Sequence, residues 1–136
     1  MDKQYICPKC DGLLRVGDNI IFMARNKMKK RGLIMLHCEI GNYTSHKNPD
    51  FEIDMGERVE FSCPLCNKSL TADIDKNLTH ILLKEDNKLY DIYFSKIKGE
   101  KSTYVVNEDG VTRAGKHADR YTYFTMGDEY KKFLSK

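Results

Sequence analysis

The chain has 136 residues, 40% hydrophobic and 32% charged, with a formal net charge of +3 and a pI near 8.5. That length fits one domain, or one domain with an appended subdomain, and the balance of apolar and charged residues excludes an intrinsically disordered chain. The charge is too mild to imply a nucleic-acid partner by itself, and the longest apolar runs, Ile20–Ala24 and Leu33–Leu36, are far shorter than the roughly 20 residues of a membrane helix.

At the N-terminus, Met1-Asp2-Lys3-Gln4-Tyr5-Ile6 has no basic stretch leading into a long apolar segment. A cytoplasmic protein without a membrane partner is expected. In that compartment thiols stay reduced, so paired cysteines more often bind metal than form disulfides. The first pair follows at once as Cys7-Pro8-Lys9-Cys10, and a second stands at Cys63-Pro64-Leu65-Cys66.

A Cys-x-x-Cys turn places two sulfurs on one side of a tight loop, and the proline pre-sets φ for that turn. Gly12 suits the backbone reversal after the first knuckle. Asn67, which tolerates the left-handed region, suits the second. Together the pairs offer four thiolates to one tetrahedral, structural Zn2+. The 52 residues between Cys10 and Cys63 exceed the commonest ribbon spacing of roughly 15–20, and an inserted hairpin accounts for the excess. Closing such a loop costs about 4 kcal/mol on the chain-entropy model, well below the roughly 10–16 kcal/mol of zinc binding in finger peptides.

Within the insertion, Asn19–Arg25 and Gly32–Cys38 are rich in Ile, Leu, Phe and Met and flank a basic link. They read as a β-hairpin. Their continuous apolar runs predict strands covered on both faces, or on one face by a partner. The tip puts Arg25, Lys27, Lys29, Lys30 and Arg31 into seven residues, a candidate contact for phosphate backbones. The bland reading is a charged hairpin end that discourages edge pairing.

Cys38 is the fifth cysteine, beside His37. Neighbours on a strand point to opposite faces, so they make a poor nucleophile–base pair. A half-buried Cys and an exposed His are expected. Ile40–Lys47 reads as a polar, extended stretch. The acidic run Asp50, Glu52, Asp54, Glu57 and Glu60 is broken by apolar residues and reads as a solvated strand or loop edge rather than a catalytic pair. Val59, Phe61 and Cys63 alternate with Arg58, Glu60 and Ser62, so a half-buried strand runs into the second knuckle.

The polar stretch Asp73–Asn77 divides the chain into a zinc-ribbon domain with an inserted hairpin at 1–72 and a sheet subdomain at 73–136, packed as one unit. In the second part, Thr79–Glu85 and Leu89–Ser95 flank a turn at Asp86-Asn87-Lys88. Thr103–Asn107 is a further strand, closed by a turn at Asn107-Glu108-Asp109-Gly110. Tyr123, Met126, Tyr130, Phe133 and Leu134 recur at helical spacing, and Asp119 is placed to cap such a helix. The alternative is a strand through Tyr121–Thr125 and a short helix. The fold class expected is therefore β-rich α+β: a zinc-ribbon-like N-terminal part, a small antiparallel sheet and a C-terminal helix.

Six of the eight tyrosines, Tyr90, Tyr93, Tyr104, Tyr121, Tyr123 and Tyr130, fall in the second part. They suit either an interface or the cover of a thin sheet. His46, His80 and His117 show no metal spacing. No phosphate loop, nucleophile elbow, His-Glu-x-x-His pair or deaminase-type His-x-Glu is present. Four thiolates saturate a zinc ion and leave no position for water, so no enzyme activity is expected.

Cys7-Pro8-Lys9-Cys10-Asp11-Gly12 resembles the opening knuckle of zinc-ribbon proteins. Glu57–Cys66 is similar to the strand and knuckle that complete one. The pieces Leu13–Asp18 and Phe94–Tyr104 resemble those of small bacterial zinc-ribbon proteins of unassigned function. The resemblance implies Cys7, Cys10, Cys63 and Cys66 as metal ligands and brings no catalytic residue. Three roles stay open. The first is a protein-interaction or assembly module, with an unidentified protein or a second copy in a homodimer as partner. The second is a nucleic-acid-binding accessory factor using the Arg25–Arg31 tip, and the third a thiol redox or metal-handling protein.

Overall fold

The computed structural model describes residues 3–108 and 110–117, and every regular element within them is a strand. In chain order these are β1 (Gln4–Ile6), β2 (Arg15–Val16), β3 (Asn19–Arg25), β4 (Arg31–His37), β5 (Ser45–Lys47), β6 (Glu60–Ser62), β7 (Leu78–Glu85), β8 (Lys88–Ser95), β9 (Thr103–Asn107) and β10 (Gly110–Ala114). One antiparallel sheet has the order β1-β7-β8-β9-β10. The other has the order β2-β3-β4-β5, with β6 pairing the far end of β3.

The α+β expectation is corrected here: among the described residues the fold is all-β. The helix expected over Tyr123–Leu134, its Asp119 cap and the alternative strand Tyr121–Thr125 lie outside the described residues. The sheet that holds β7–β10 is also not built from the second half of the chain alone. β1 joins it through Gln4↔Lys84, Tyr5↔Leu83 and Ile6↔Leu82. No local pattern announces such a pairing, because it joins segments almost 80 residues apart. Among the described residues no helix is long and apolar enough to cross a membrane.

Strand alternation builds the core. Ile20, Phe22 and Ala24 of β3, Ile34 of β4 and Phe61 of β6 point inward from one sheet, and Tyr5, Ile81, Leu83 and Ile92 from the other. Rings lock the two faces together: Phe22, Phe61 and Phe94 stand 5.4–5.6 Å apart, edge-on or tilted, the geometry that aromatic quadrupoles favour. On the far face of the first sheet, Tyr93, Tyr104 and Val106 pack with Ala72 and Leu78 into a second, smaller cluster. Among the described residues, Tyr5, Tyr93 and Tyr104 are thus core tyrosines.

The hairpin prediction is met by β3 and β4, paired from Asn19↔His37 to Arg25↔Arg31. Their outer face is not fully covered: Ile21, Met23 and Met35 are half-buried, and Leu33 is 50% exposed. Gly32 is there for space rather than for conformation, because a Cβ would lie 2.8 Å from the Phe51 ring. The turn between β7 and β8 is the two-residue Asp86-Asn87, both left-handed at φ 52° and 65°. That is the backbone of a type I′ turn, whose twist matches its strands.

One charge is buried in this apolar frame. The Lys96 side chain is 1% exposed, and its ammonium donates to Glu60 Oε1 at 2.8 Å and Thr71 Oγ1 at 2.6 Å. It ties the β8–β9 connection to β6 and to the stretch after the second knuckle.

Burial also shapes the alkaline limit of stability. The Tyr5 hydroxyl donates to the Cys38 carbonyl at 2.5 Å. Burial first, then the nearby Cys38 charge, pushes it up from 10 to about 12, and burial raises Tyr93 as well. The folded protein therefore holds these protons more tightly than the unfolded chain, whose tyrosines titrate near 10. This contribution is intact below about pH 10 and is lost as pH rises towards 12. Urea midpoints measured from pH 8 to 12 should stay level and then fall above about pH 10, with a shallower fall in Tyr5→Phe.

Candidate metal centre

Each half of the site is delivered by a different sheet. β1 leads into Cys7 from the sheet it shares with β7, and β6 leads into Cys63 from the sheet it shares with β3. The two knuckles have the same backbone. In the first, Cys7 N–H donates to Gly12 O at 2.9 Å and Asp11 N–H to Cys7 O at 3.0 Å. In the second, Cys63 N–H donates to Lys68 O at 3.0 Å and Asn67 N–H to Cys63 O at 2.8 Å. Lys9 N–H and Leu65 N–H each point at the first sulfur of their own knuckle, both at 3.3 Å.

The left-handed residue that closes each turn is the one after the second cysteine, Asp11 at φ 62° and Asn67 at φ 63°. Asn67 fits its expected role. Gly12 does not, since Asp11 makes the reversal. The glycine serves by lacking a side chain, because a Cβ there would fall 2.4 Å from Leu65 Cδ1 of the opposite knuckle.

The four sulfurs of Cys7, Cys10, Cys63 and Cys66 lie within 4.8 Å of one another. The cross-knuckle separations Cys7–Cys66 and Cys10–Cys63 are both 3.8 Å. That is far beyond a disulfide bond of about 2.05 Å. It equals the edge, about 3.8 Å, of a tetrahedron whose corners stand roughly 2.3 Å from a central ion. Burial pushes the Cys7 thiol up to about 12 and raises Cys63, while the Lys68 amide holds Cys66 down. A cation is the partner that makes buried thiolates favourable, and its binding must expel protons.

The fifth cysteine stays outside this cluster. Cys38 is half-buried against the main core, as the sequence suggested. His37 Nδ1 accepts from Glu39 N–H at 3.0 Å. His80 lies 2.7 Å from Asp91 and stacks on Tyr93. His117 Nδ1 accepts from Lys101 N–H at 2.9 Å. None joins the sulfurs.

The basic tip is partly neutralised from an element that sequence spacing did not connect to it. Lys27 Nζ meets Asp54 at 2.6 Å and Lys27 N–H meets Glu57 at 2.7 Å. Asn26, buried at the root of the turn, receives N–H groups from Met28 and Lys30 and donates to Glu52 O. The acidic stretch thus braces the tip that carries Arg25, Lys29, Lys30 and Arg31. Its own Phe51 and Ile53 are buried.

Among the described residues, fold and site together define an all-β architecture whose two sheets meet at a zinc-ribbon-like cluster of four cysteines placed to hold one metal ion. No family model, curated protein or solved structure matches the chain. The likeness to zinc ribbons therefore rests on the knuckles themselves.

Proposed function

We propose that the chain is a non-enzymatic binding module in which Cys7, Cys10, Cys63 and Cys66 hold one structural Zn2+, and that its exposed sheet face docks another protein. The carrying observation for the metal is the sulfur geometry: four donors at tetrahedral spacing, supplied by two matched knuckles. Such a donor set favours zinc and leaves no coordination position for water or substrate. The metal then holds the sheets together and takes no part in chemistry.

The docking face is the outer side of β3 and β4. Ile21, Leu33 and Met35 line a groove with Phe51, bordered by Lys30 and Arg31. Ile34, on the opposite face of β4, is core and takes no part. An apolar centre with a charged rim is the usual anatomy of a protein interface. The nucleic-acid reading is weaker, because Lys27 is already engaged by Asp54 and Glu57. A Leu33→Glu variant should keep its melting temperature and lose concentration-dependent association in light scattering, or lose capture of a partner where the wild type is monomeric. Unchanged association and capture in that variant would reject the face.

A further inference from the structure

Between the two sheets lies a cavity of about 320 Å³. Ile20, Ile34 and Leu36 line it from one sheet and Ile81, Ile92 and Phe94 from the other. Protein interiors pack like organic crystals, with few voids larger than a water molecule. A cavity of about 150 Å³ with such a lining stays dry and admits benzene. This one is about twice as large, enough for roughly a dozen non-hydrogen atoms, and falls within the ordinary size range of ligand sites.

Its polarity is divided. The depth is aliphatic and aromatic, while polar groups gather at the mouth, formed by the β4–β5 and β8–β9 connections. Lys98 and Lys101 stand there against Glu39 and Glu100, and Lys47 of β5, which also lines the cavity, leaves one positive charge in surplus among these five. The lysines are held in place: Lys98 Nζ donates to Ile53 O at 2.7 Å, and Lys101 Nζ lies 6.0 Å above the Tyr43 ring. Met55 leans over Gly99 at the rim, where a Cβ would meet its sulfur at 2.2 Å. A thioether is an adaptable cover for an opening.

We infer that this cavity binds a medium-chain carboxylate, its alkyl tail between the sheets and its carboxylate among the lysines of the mouth. The size limit excludes long-chain lipids, and the charge favours an anion over a neutral or cationic amphiphile. The site lies outside the cysteine cluster, and none of the four clustered cysteines lines it.

The test titrates the full-length, zinc-loaded protein with decanoate, decanol and decyltrimethylammonium by calorimetry, below their micellar concentrations. Decanoate should bind saturably at one site per chain and at least tenfold more tightly than the ammonium. Leu36→Trp, which fills the cavity, should weaken decanoate at least tenfold. Lys101→Glu, at the mouth and clear of the packing, should weaken decanoate and leave decanol unchanged. Saturable binding of none of the three would overturn the inference, as would equal affinity for anion and cation. Methyl Overhauser contacts from Ile81 and Ile92 to residues 118–136 in the full chain, persisting at saturating decanoate, would overturn it too.

Discussion

Replacing Cys63 with serine should leave the protein without a cooperative unfolding transition at 25 °C. Structural zinc contributes about 10–16 kcal/mol in finger peptides, as much as the roughly 5–15 kcal/mol that holds a typical domain folded. The position makes the loss severe. Cys63 is fully buried and follows β6 directly, and its partners Cys7 and Cys10 follow β1 on the other sheet. Without a bound ion, one junction between the sheets is left as unligated thiols, of which Cys7 is buried. Circular dichroism against urea would show this as a featureless, sloping curve. A sharp transition within about 1 kcal/mol of wild type would show that packing alone holds the sheets.

The second large effect concerns Lys96 and Glu60, and it is an asymmetry. Glu60→Ala strands an ammonium whose side chain is 1% exposed, with Thr71 Oγ1 as its other acceptor. Breaking a buried pair from one side typically costs about 3–5 kcal/mol. The Glu60 side chain is 35% exposed, so solvent can reach the vacated space and about 2–3 kcal/mol is the expected loss. Lys96→Met removes the charge and keeps most of the volume, a change that is often neutral or stabilising. Chemical denaturation of both variants should show Glu60→Ala clearly the weaker. Equal losses, or a greater loss in Lys96→Met, would mean that the ion pair itself contributes the stability.

What could be read from the residues follows how local the determining physics is. The β3–β4 hairpin, the strand into the second knuckle and the Asp86-Asn87 turn all depend on neighbours a few positions apart. Their periodicity and turn chemistry were visible. The four clustered cysteines were legible for the same reason, since each knuckle is a four-residue motif. The pairing of β1 with β7 was not, because three residues next to a knuckle carry no signal for a partner so distant in the chain. Nor was the buried Lys96, which reads in sequence as part of a polar connection. Its burial follows from Glu60 and Thr71, brought to it by the sheet packing. The acidic brace on the tip is another long-range contact, Lys27 to Asp54. Of the two readings of the hairpin's continuous apolar runs, coverage on both faces is not met among the described residues, since Leu33 on the outer face remains half exposed.

The most direct test of the four-thiolate clamp is the metal itself. Protein purified without added metal should carry about one zinc per chain, and X-ray absorption at the zinc edge should show four sulfurs at roughly 2.3 Å. Less than about a tenth of an equivalent of any metal, or a first shell containing oxygen or nitrogen in place of a sulfur, would contradict it.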